Sequence, residues 1–266
     1  MTNEIELKPY QKHKIFRDCF EATLLSNGFV YNSKMKMYGR ICPSQFGIFV
    51  WLHLYYGNIS VRVRVIPFFS TQESCLDFPK DLIGPMSLKK YIDYLSLDIP
   101  NLVKWRKFPS FGFTKTLFEQ SMGGQFEFFE KHMLHHICSL KTLDDLLLFY
   151  NEYIGDMFGR SALYPCNEKA YVYLYKKDYA SALAELNTLR DRVSRTLEEE
   201  QKRPEEKRMS DAILLALTNI LFETDKMIDE IRCEKYERIL EGIHQSILRW
   251  DAELKMYYPC FYTSVL

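Results

Sequence analysis

Three neighbouring histidines are the residues whose types and spacing come nearest to a metal site. His132, His135 and His136 lie in one helix-forming segment, with His132 and His136 one turn apart. This spacing suggests a shared metal ion, and therefore a metal-dependent hydrolase as one alternative function. Glu130 lies too far round the helix to act as the base of a His-Glu-x-x-His site, and no third ligand is indicated. The sequence therefore favours a surface or helix-end histidine cluster, with no bound metal and no cofactor.

Other patterns of catalytic or phosphate-binding residues are missing from the sequence. It contains no Gly-x-Ser-x-Gly elbow. Gly123 and Gly124 follow no predicted strand and precede no Gly-Lys-Ser/Thr, so they do not indicate a phosphate loop. Cys138 lies three positions after His135, but no neighbouring residue type would lower the pKa of its thiol. No catalytic residue is therefore predicted, and the interpretation we favour is a protein that is not an enzyme.

The composition is that of an ordinary globular protein, with 47% hydrophobic, 15% aromatic and 26% charged residues. Lys plus Arg and Asp plus Glu number 35 each, so no overall field would attract nucleic acid or an anionic membrane. Seven cysteines without a Cys-x-x-Cys pair favour free thiols in a reducing compartment. The first residues lack a signal pattern, and no apolar run reaches the ~20 residues that cross a bilayer. We therefore expect a cytoplasmic protein with no membrane segment.

The order of residue patterns predicts an α+β fold. Helical spacing over residues 12–27 ends at Asn27-Gly28, a typical helix stop, and three segments of alternating character follow at 35–41, 46–56 and 59–67. This predicts an N-terminal helix plus an antiparallel sheet of at least three strands, followed by a mainly helical C-terminal half. We expect residues 1–113 to form the helix-and-sheet unit with an irregular connector, and residues 114–266 to form the helical domain.

Prolines and changes in the period of the hydrophobic residues divide the chain beyond residue 70 into segments. Four prolines break the connector over residues 70–113, in which Ser87 caps a predicted helix at 87–97. The helices expected beyond it are 116–139, 143–157 with Thr142 as N-cap, 168–177, 179–199, 209–233 and a last helix to about residue 257. The apolar stripes of the last two helices are typical of intramolecular core, and their width leaves room for a homodimer interface.

A Gly57-Asn58 loop fixes the register of a predicted hairpin between the second and third alternating segments. A two-residue loop of this kind suits a type II′ turn, which pairs Val50 with Val65 and places the aliphatic residues on one core face. The opposite face is aromatic and basic. The predicted aromatic-basic surface consists of Trp51, His53, Tyr55, Arg62 and Arg64, joined by Tyr38 and Arg40 if the first strand keeps the same alternation.

Two interpretations of this aromatic-basic surface remain open. Trp, Tyr and Arg dominate the hot spots of protein interfaces, and the same side chains can stack bases or bind phosphate. Alternatively, the surface is an outer sheet face whose aromatic residues are covered by the connector, because half-buried antiparallel sheets commonly carry polar residues on one side.

The N-terminal third resembles a bacterial family. The order of a helix, Asn27-Gly28-Phe29, and strands containing Tyr38-Gly39-Arg40 and ending in Val65-Ile66-Pro67-Phe68 is similar to the DUF4304 group over about residues 12–70. The resemblance implies a bacterial cytoplasmic protein of the immunity or defence-accessory kind. It carries over no catalytic residue.

A second resemblance lies in the helical half. Residues 170–189 are similar to a single tetratricopeptide unit, with no copy about 34 residues onward. The residues that carry this similarity are Ala170, Tyr173, Asp178-Tyr179, Ala182-Leu183 and Leu186. The resemblance implies an antiparallel helix pair rather than a solenoid.

The function that these observations favour is a non-catalytic protein that binds a protein partner through the aromatic-basic surface. Two other functions are alternatives. The first is the metal-dependent hydrolase with the histidine cluster, and the second is local binding of nucleic acid through the basic sheet face. The balanced net charge makes nucleic acid the least favoured partner.

Overall fold

The computed structural model describes residues 7–55, 58–69, 97–98, 115–151, 165–204 and 211–261. Over these residues an N-terminal helix precedes an antiparallel sheet and a helical C-terminal half, which confirms the predicted α+β class. The chain forms two compact units, one from Met1–Ile66, Gly84–Asp145 and Glu253–Leu266, and one from Pro67–Ile83 and Leu146–Ala252. The predicted boundary between residues 113 and 114 falls outside the described residues and stays a prediction. The helix predicted at 87–97 also falls outside them, except for its last residue, Leu97, which lies in a short strand rather than in a helix.

Helix α1 spans Pro9–Ser26 and ends as the sequence predicts. Proline suits the first helical position because its missing N–H has no intrahelical partner there. Gly28 follows with φ +80°, and the Phe29 N–H donates to the Leu24 carbonyl at 3.0 Å. This left-handed glycine closes the helix and sends the chain into the sheet. The buried side of α1 carries Ile15, Phe16, Phe20 and Leu24.

Within the part of the chain that the structure describes, five antiparallel strands follow one another across the sheet in chain order. They are β1 (Val30–Asn32), β2 (Met37–Cys42), β3 (Phe46–Tyr55), β4 (Asn58–Pro67) and β5 (Leu97–Asp98). The three predicted strands are confirmed to within two residues at each end, and two short edge strands are added. The predicted Gly57-Asn58 turn lies partly outside the described residues, so its type stays a prediction.

The loop between β2 and β3 sets the register of that strand pair. Gln45 has φ +64°, and its N–H donates to the Cys42 carbonyl at 3.1 Å. Three-residue hairpin loops commonly use one left-handed residue in this way. The resulting register pairs Tyr38 with Val50 and Gly39 with Phe49.

Helices α2 (Lys115–Phe129) and α3 (His135–Ser139) are joined by a π-helical turn over Glu130–Leu134. The single helix predicted at 116–139 is therefore interrupted by one wider turn. Helix α2 packs on α1, where the Phe20 ring lies 5.1 Å from that of Phe126.

Helix α4 (Leu143–Phe149) begins at its predicted cap. The Asp145 N–H donates to the Thr142 hydroxyl at 3.1 Å, and the Thr142 N–H donates to the Asp145 carboxylate at 2.8 Å. The backbone N–H groups of Thr142 and Lys141 both donate to the Asp145 carboxylate, and these two hydrogen bonds are the main cause of its lowered pKa.

Four longer helices complete the described chain: α5 (Pro165–Tyr175), α6 (Tyr179–Gln201), α7 (Asp211–Arg232) and α8 (Tyr236–Tyr257). Helix α6 packs on α7 through a buried cluster of Leu189, Val193, Leu217 and Ile220. No helix in the described part of the chain combines the length and apolar character needed to cross a membrane.

The turns after α5 and α7 have the same hydrogen-bond pattern. Lys177 and Glu234 are left-handed, with φ +60° and +56°. One residue later, the Asp178 N–H donates to the Tyr173 carbonyl at 2.9 Å, and the Lys235 N–H donates to the Glu230 carbonyl at 2.8 Å. Both turns are thus Schellman-type closures, 57 residues apart, each with a non-glycine residue where glycine is usual.

The helix pairs α5–α6 and α7–α8 differ in how their second helices begin. Asp178 caps α6 by accepting from the Ser181 N–H at 3.1 Å, and hydrogen bonds from the side chain and backbone of Ser181 lower the pKa of Asp178. Lys235 holds the equivalent position before α8. The following residues, Tyr179 and Tyr236, stack with ring centroids 3.9 Å apart.

Candidate functional site

The β2–β3 register divides the predicted aromatic-basic surface between the two faces of the sheet. Tyr38 lies opposite Val50, and Arg40 lies opposite Ile48, whereas Met37 lies opposite Trp51. Directly opposed residues of an antiparallel pair share a face. The expectation that Tyr38 and Arg40 join Trp51 is therefore wrong, because the three-residue loop pairs even-numbered residues with even-numbered ones.

Tyr38 is fully buried on the first of these faces, beneath α1. Its ring lies 5.9 Å from that of Phe16 and 4.9 Å from that of Tyr31. Burial, as the largest cause, raises the pKa of the Tyr38 hydroxyl. A partner could not reach this side chain without displacing α1, so Tyr38 serves packing rather than recognition in this structure.

Arg40 completes the C-terminal end of a helix. Its Nη2 donates to the Leu140 carbonyl at 2.8 Å and to the Cys138 carbonyl at 3.2 Å. The last carbonyls of a helix lack intrahelical partners and attract cations. The Arg40 guanidinium therefore ties β2 to the end of α3, a structural role for a side chain predicted to bind a partner.

Trp51 is buried on the opposite face, with 2% of its surface exposed. The same face holds Gly39 and Phe49, and Tyr258 from the C-terminal segment covers them. The Phe49 and Tyr258 rings lie 6.0 Å apart, and the Asn32 side-chain amide donates to the Tyr257 carbonyl. This part of the sheet is thus covered by residues near the C-terminal end of the chain.

The remaining members of the predicted surface lie on β3 and β4. Arg62 is partly exposed and lies opposite Asp98 of β5. The backbones of His53, Tyr55 and Arg64 lie within their strands, but their side chains fall outside the described residues. Partner binding by these side chains stays a prediction.

The histidine cluster lies at the π-helical turn. The ring centroids of His132 and Phe128 lie 4.8 Å apart, and those of His135 and His136 lie 5.4 Å apart with the rings edge to face. Within the described residues no three His, Cys, Asp or Glu side chains are placed to hold one metal ion. The nearby Cys138 has its thiol pKa raised, chiefly by burial, which disfavours the nucleophilic thiolate. The metal-dependent alternative stays a prediction.

One exposed apolar surface was missed by the sequence analysis. Leu215 and Phe222 of α7 are 62% and 65% exposed, and Thr218 lies exposed between them. Positions separated by seven residues lie on one side of a helix. We call these three residues the α7 surface. Its signal in the sequence is the pair of large apolar residues on the side of α7 opposite the stripe that contains Leu217 and Ile220.

Acidic residues flank the α7 surface along the same helix. Asp211, Asp225 and Asp229 are all exposed, and Lys226 is partly exposed. The surface therefore combines an apolar centre with charged ends, the usual arrangement of a protein-binding site.

Comparisons of the chain with protein-family models, with curated proteins and with solved structures gave no match. The resemblances to the DUF4304 group and to a tetratricopeptide unit therefore stay predictions.

Proposed function

We propose that this protein is a non-catalytic protein-binding protein whose partner docks on the α7 surface. The observation that carries the proposal is the exposure of Leu215 and Phe222 on one side of a helix whose other side is core. Large apolar side chains left together in solvent mark interaction sites, whereas isolated ones are common on any surface.

The energetics favour this surface over the predicted sheet surface. Burying an exposed Leu or Phe side chain contributes about 1.5–3 kcal/mol, and the α7 surface offers two such side chains without any rearrangement. Trp51 and Tyr38 are already buried, so a partner would first have to displace the segments that cover them. The charged flanks have Asp211 at one end and Asp225, Lys226 and Asp229 at the other, so they indicate a partner whose apolar side chains are accompanied by charged groups of both signs.

The cellular setting in our proposal is the bacterial cytoplasm, with an immunity or defence-accessory role. This setting rests on the resemblance of residues 12–70 alone. Local binding of nucleic acid through Arg62 and Arg64 remains the weaker alternative, and its test is salt-dependent binding of single-stranded oligonucleotides.

The proposal is tested by crosslinking from defined positions. A photo-reactive amino acid at position 222 should give a protein adduct in cells of the native host, whereas one at position 25 should not. Leu25 is the matched control because it is also an exposed apolar helix residue, with 48% of its surface exposed, but lies on α1. Adducts of equal yield from both positions, or from neither, would refute the α7 surface as the binding site.

A further inference from the structure

We infer that the α7 surface binds the α7 surface of a second copy of this chain, with the two helices antiparallel. The inference rests on the proposed function and names the partner for the same site. A two-fold axis passing between Thr218 and Asn219 would relate the copies. It would place Leu215 of one copy against the partner's Phe222.

The axis is placed at the midpoint of the two exposed apolar residues, so that each of them meets the other residue type across it. Leu215 lies three residues before Thr218, and Phe222 lies three residues after Asn219. An isologous interface needs one patch that is complementary to itself, and two-fold dimers are the commonest oligomers. The antiparallel arrangement packs a leucine against a phenylalanine twice.

Charge selects the same arrangement independently. Asp211 lies four residues before Leu215, and Lys226 lies four residues after Phe222, so the axis places Asp211 opposite the partner's Lys226. Both residues lie within about a third of a turn of the apolar pair on an ideal helix. Neither forms an ion pair with any residue that the structure describes. A parallel pair would instead bring each charge against its own kind, which is unfavourable.

The expected dimer is weak. One face of a single helix is smaller than the ~800 Å² per partner that a standard interface buries. Association should therefore depend on protein concentration rather than be permanent.

Sedimentation velocity of the full chain, measured across a wide range of concentration, tests the inference. The wild type should shift from monomer to dimer as the concentration rises. Phe222→Asp should weaken association by about tenfold or more, because it removes a central apolar contact. Leu25→Asp is the control and should leave association unchanged. Circular dichroism should show the same helix content in both variants, since both positions are exposed.

Charge reversal distinguishes a second copy from any other partner. Asp211→Lys alone and Lys226→Asp alone should each weaken self-association by about two- to fivefold, because each puts like charges opposite one another. An equal mixture of the two variants should recover association as mixed dimers, because each lysine then meets an aspartate.

The outcomes separate the two proposals. If the wild type stays monomeric at every concentration, the inference that the partner is a second copy is overturned. Crosslinking of a different protein from position 222 would still support the proposed function. A wild-type dimer that Phe222→Asp leaves intact overturns this interface. A mixture that associates no better than the single charge variants overturns the antiparallel arrangement.

Discussion

Gly39 is the residue whose substitution has the most direct structural consequence. A Cβ atom at this position would lie 2.8 Å from Cζ, 2.9 Å from Cε1 and 3.1 Å from the hydroxyl oxygen of Tyr258. Carbon atoms in favourable contact lie about 3.5–4.0 Å apart. Tyr258 is 1% exposed and packs against Phe49, so its ring has no open space into which it could move. We therefore expect Gly39→Ala to separate the C-terminal segment from the sheet or to strain both.

The magnitude follows from two opposing terms. Overpacking a close-packed core costs about 1–3 kcal/mol. Replacing glycine in a strand recovers about 0.5–1 kcal/mol, because the unfolded chain loses less entropy on folding. The difference between these terms is about 0–2.5 kcal/mol, so the net loss of unfolding free energy should be about 1 kcal/mol, measured by urea denaturation followed by circular dichroism.

A double-mutant cycle identifies the cause. Tyr258→Leu removes Cζ and the hydroxyl, so the cost of Gly39→Ala should largely disappear in that background. Tyr258→Phe keeps Cζ and Cε1, so the cost should persist there. If Gly39→Ala is as costly beside Leu as beside Tyr, or costs nothing in the wild type, the proposed contact between β2 and the C-terminal segment is refuted.

Three further predictions concern single side chains. Arg40→Met should lower the unfolding free energy by about 1.5–3 kcal/mol because it leaves helix-end carbonyls without a charged donor, and Arg40→Lys should restore part of the loss in the same urea titration. Asp178→Ala should cost about 1 kcal/mol at neutral pH, whereas Lys235→Ala at the equivalent turn should cost almost nothing. Because the folded state lowers the pKa of Asp178, the stability that the cap contributes should be present above the unfolded pKa of about 4 and should be lost as the pH falls through the folded pKa. Equal costs of Asp178→Ala and Lys235→Ala at neutral pH would contradict the capping role. Protein purified without an affinity tag should contain no stoichiometric zinc, iron or manganese by elemental analysis, and a full equivalent that is lost in His132→Ala but kept in a surface control would establish the metal site instead.

Local patterns were sufficient to predict most of the secondary structure. The stop of α1 at Asn27-Gly28 and the cap of α4 at Thr142 depend on residues within one helical turn, so the sequence contains all the necessary information. The strands β2, β3 and β4 were likewise predicted from their two-residue period. The break between α5 and α6 was predicted to within about two residues, but Lys177 was assigned to the helix and its left-handed conformation was not predicted, because lysine gives no signal for it.

The candidate site was predicted less well, because exposure depends on residues far away in the chain. The alternating sequence pattern around Trp51 is the same whether its face of the sheet is exposed to solvent or covered by other residues. Tyr258 lies about two hundred residues from Gly39 and Phe49, and no local period indicates that it covers them. The sequence likewise gives no sign that the Arg40 guanidinium is already hydrogen-bonded, yet it donates to carbonyls about a hundred residues onward.

The sequence by itself determined where most of the described helices and strands lie, since caps, turns and hydrophobic periods act over a few neighbouring residues. Only the tertiary structure decided which of their faces remain in water. The register of β2 on β3 sent Tyr38 and Trp51 to opposite sides, and packing then covered both. The same packing left Leu215 and Phe222 exposed, because α7 has only one side against the core. The burial of a side chain depends on contacts with residues far away in the sequence, and a short segment carries no information about those contacts.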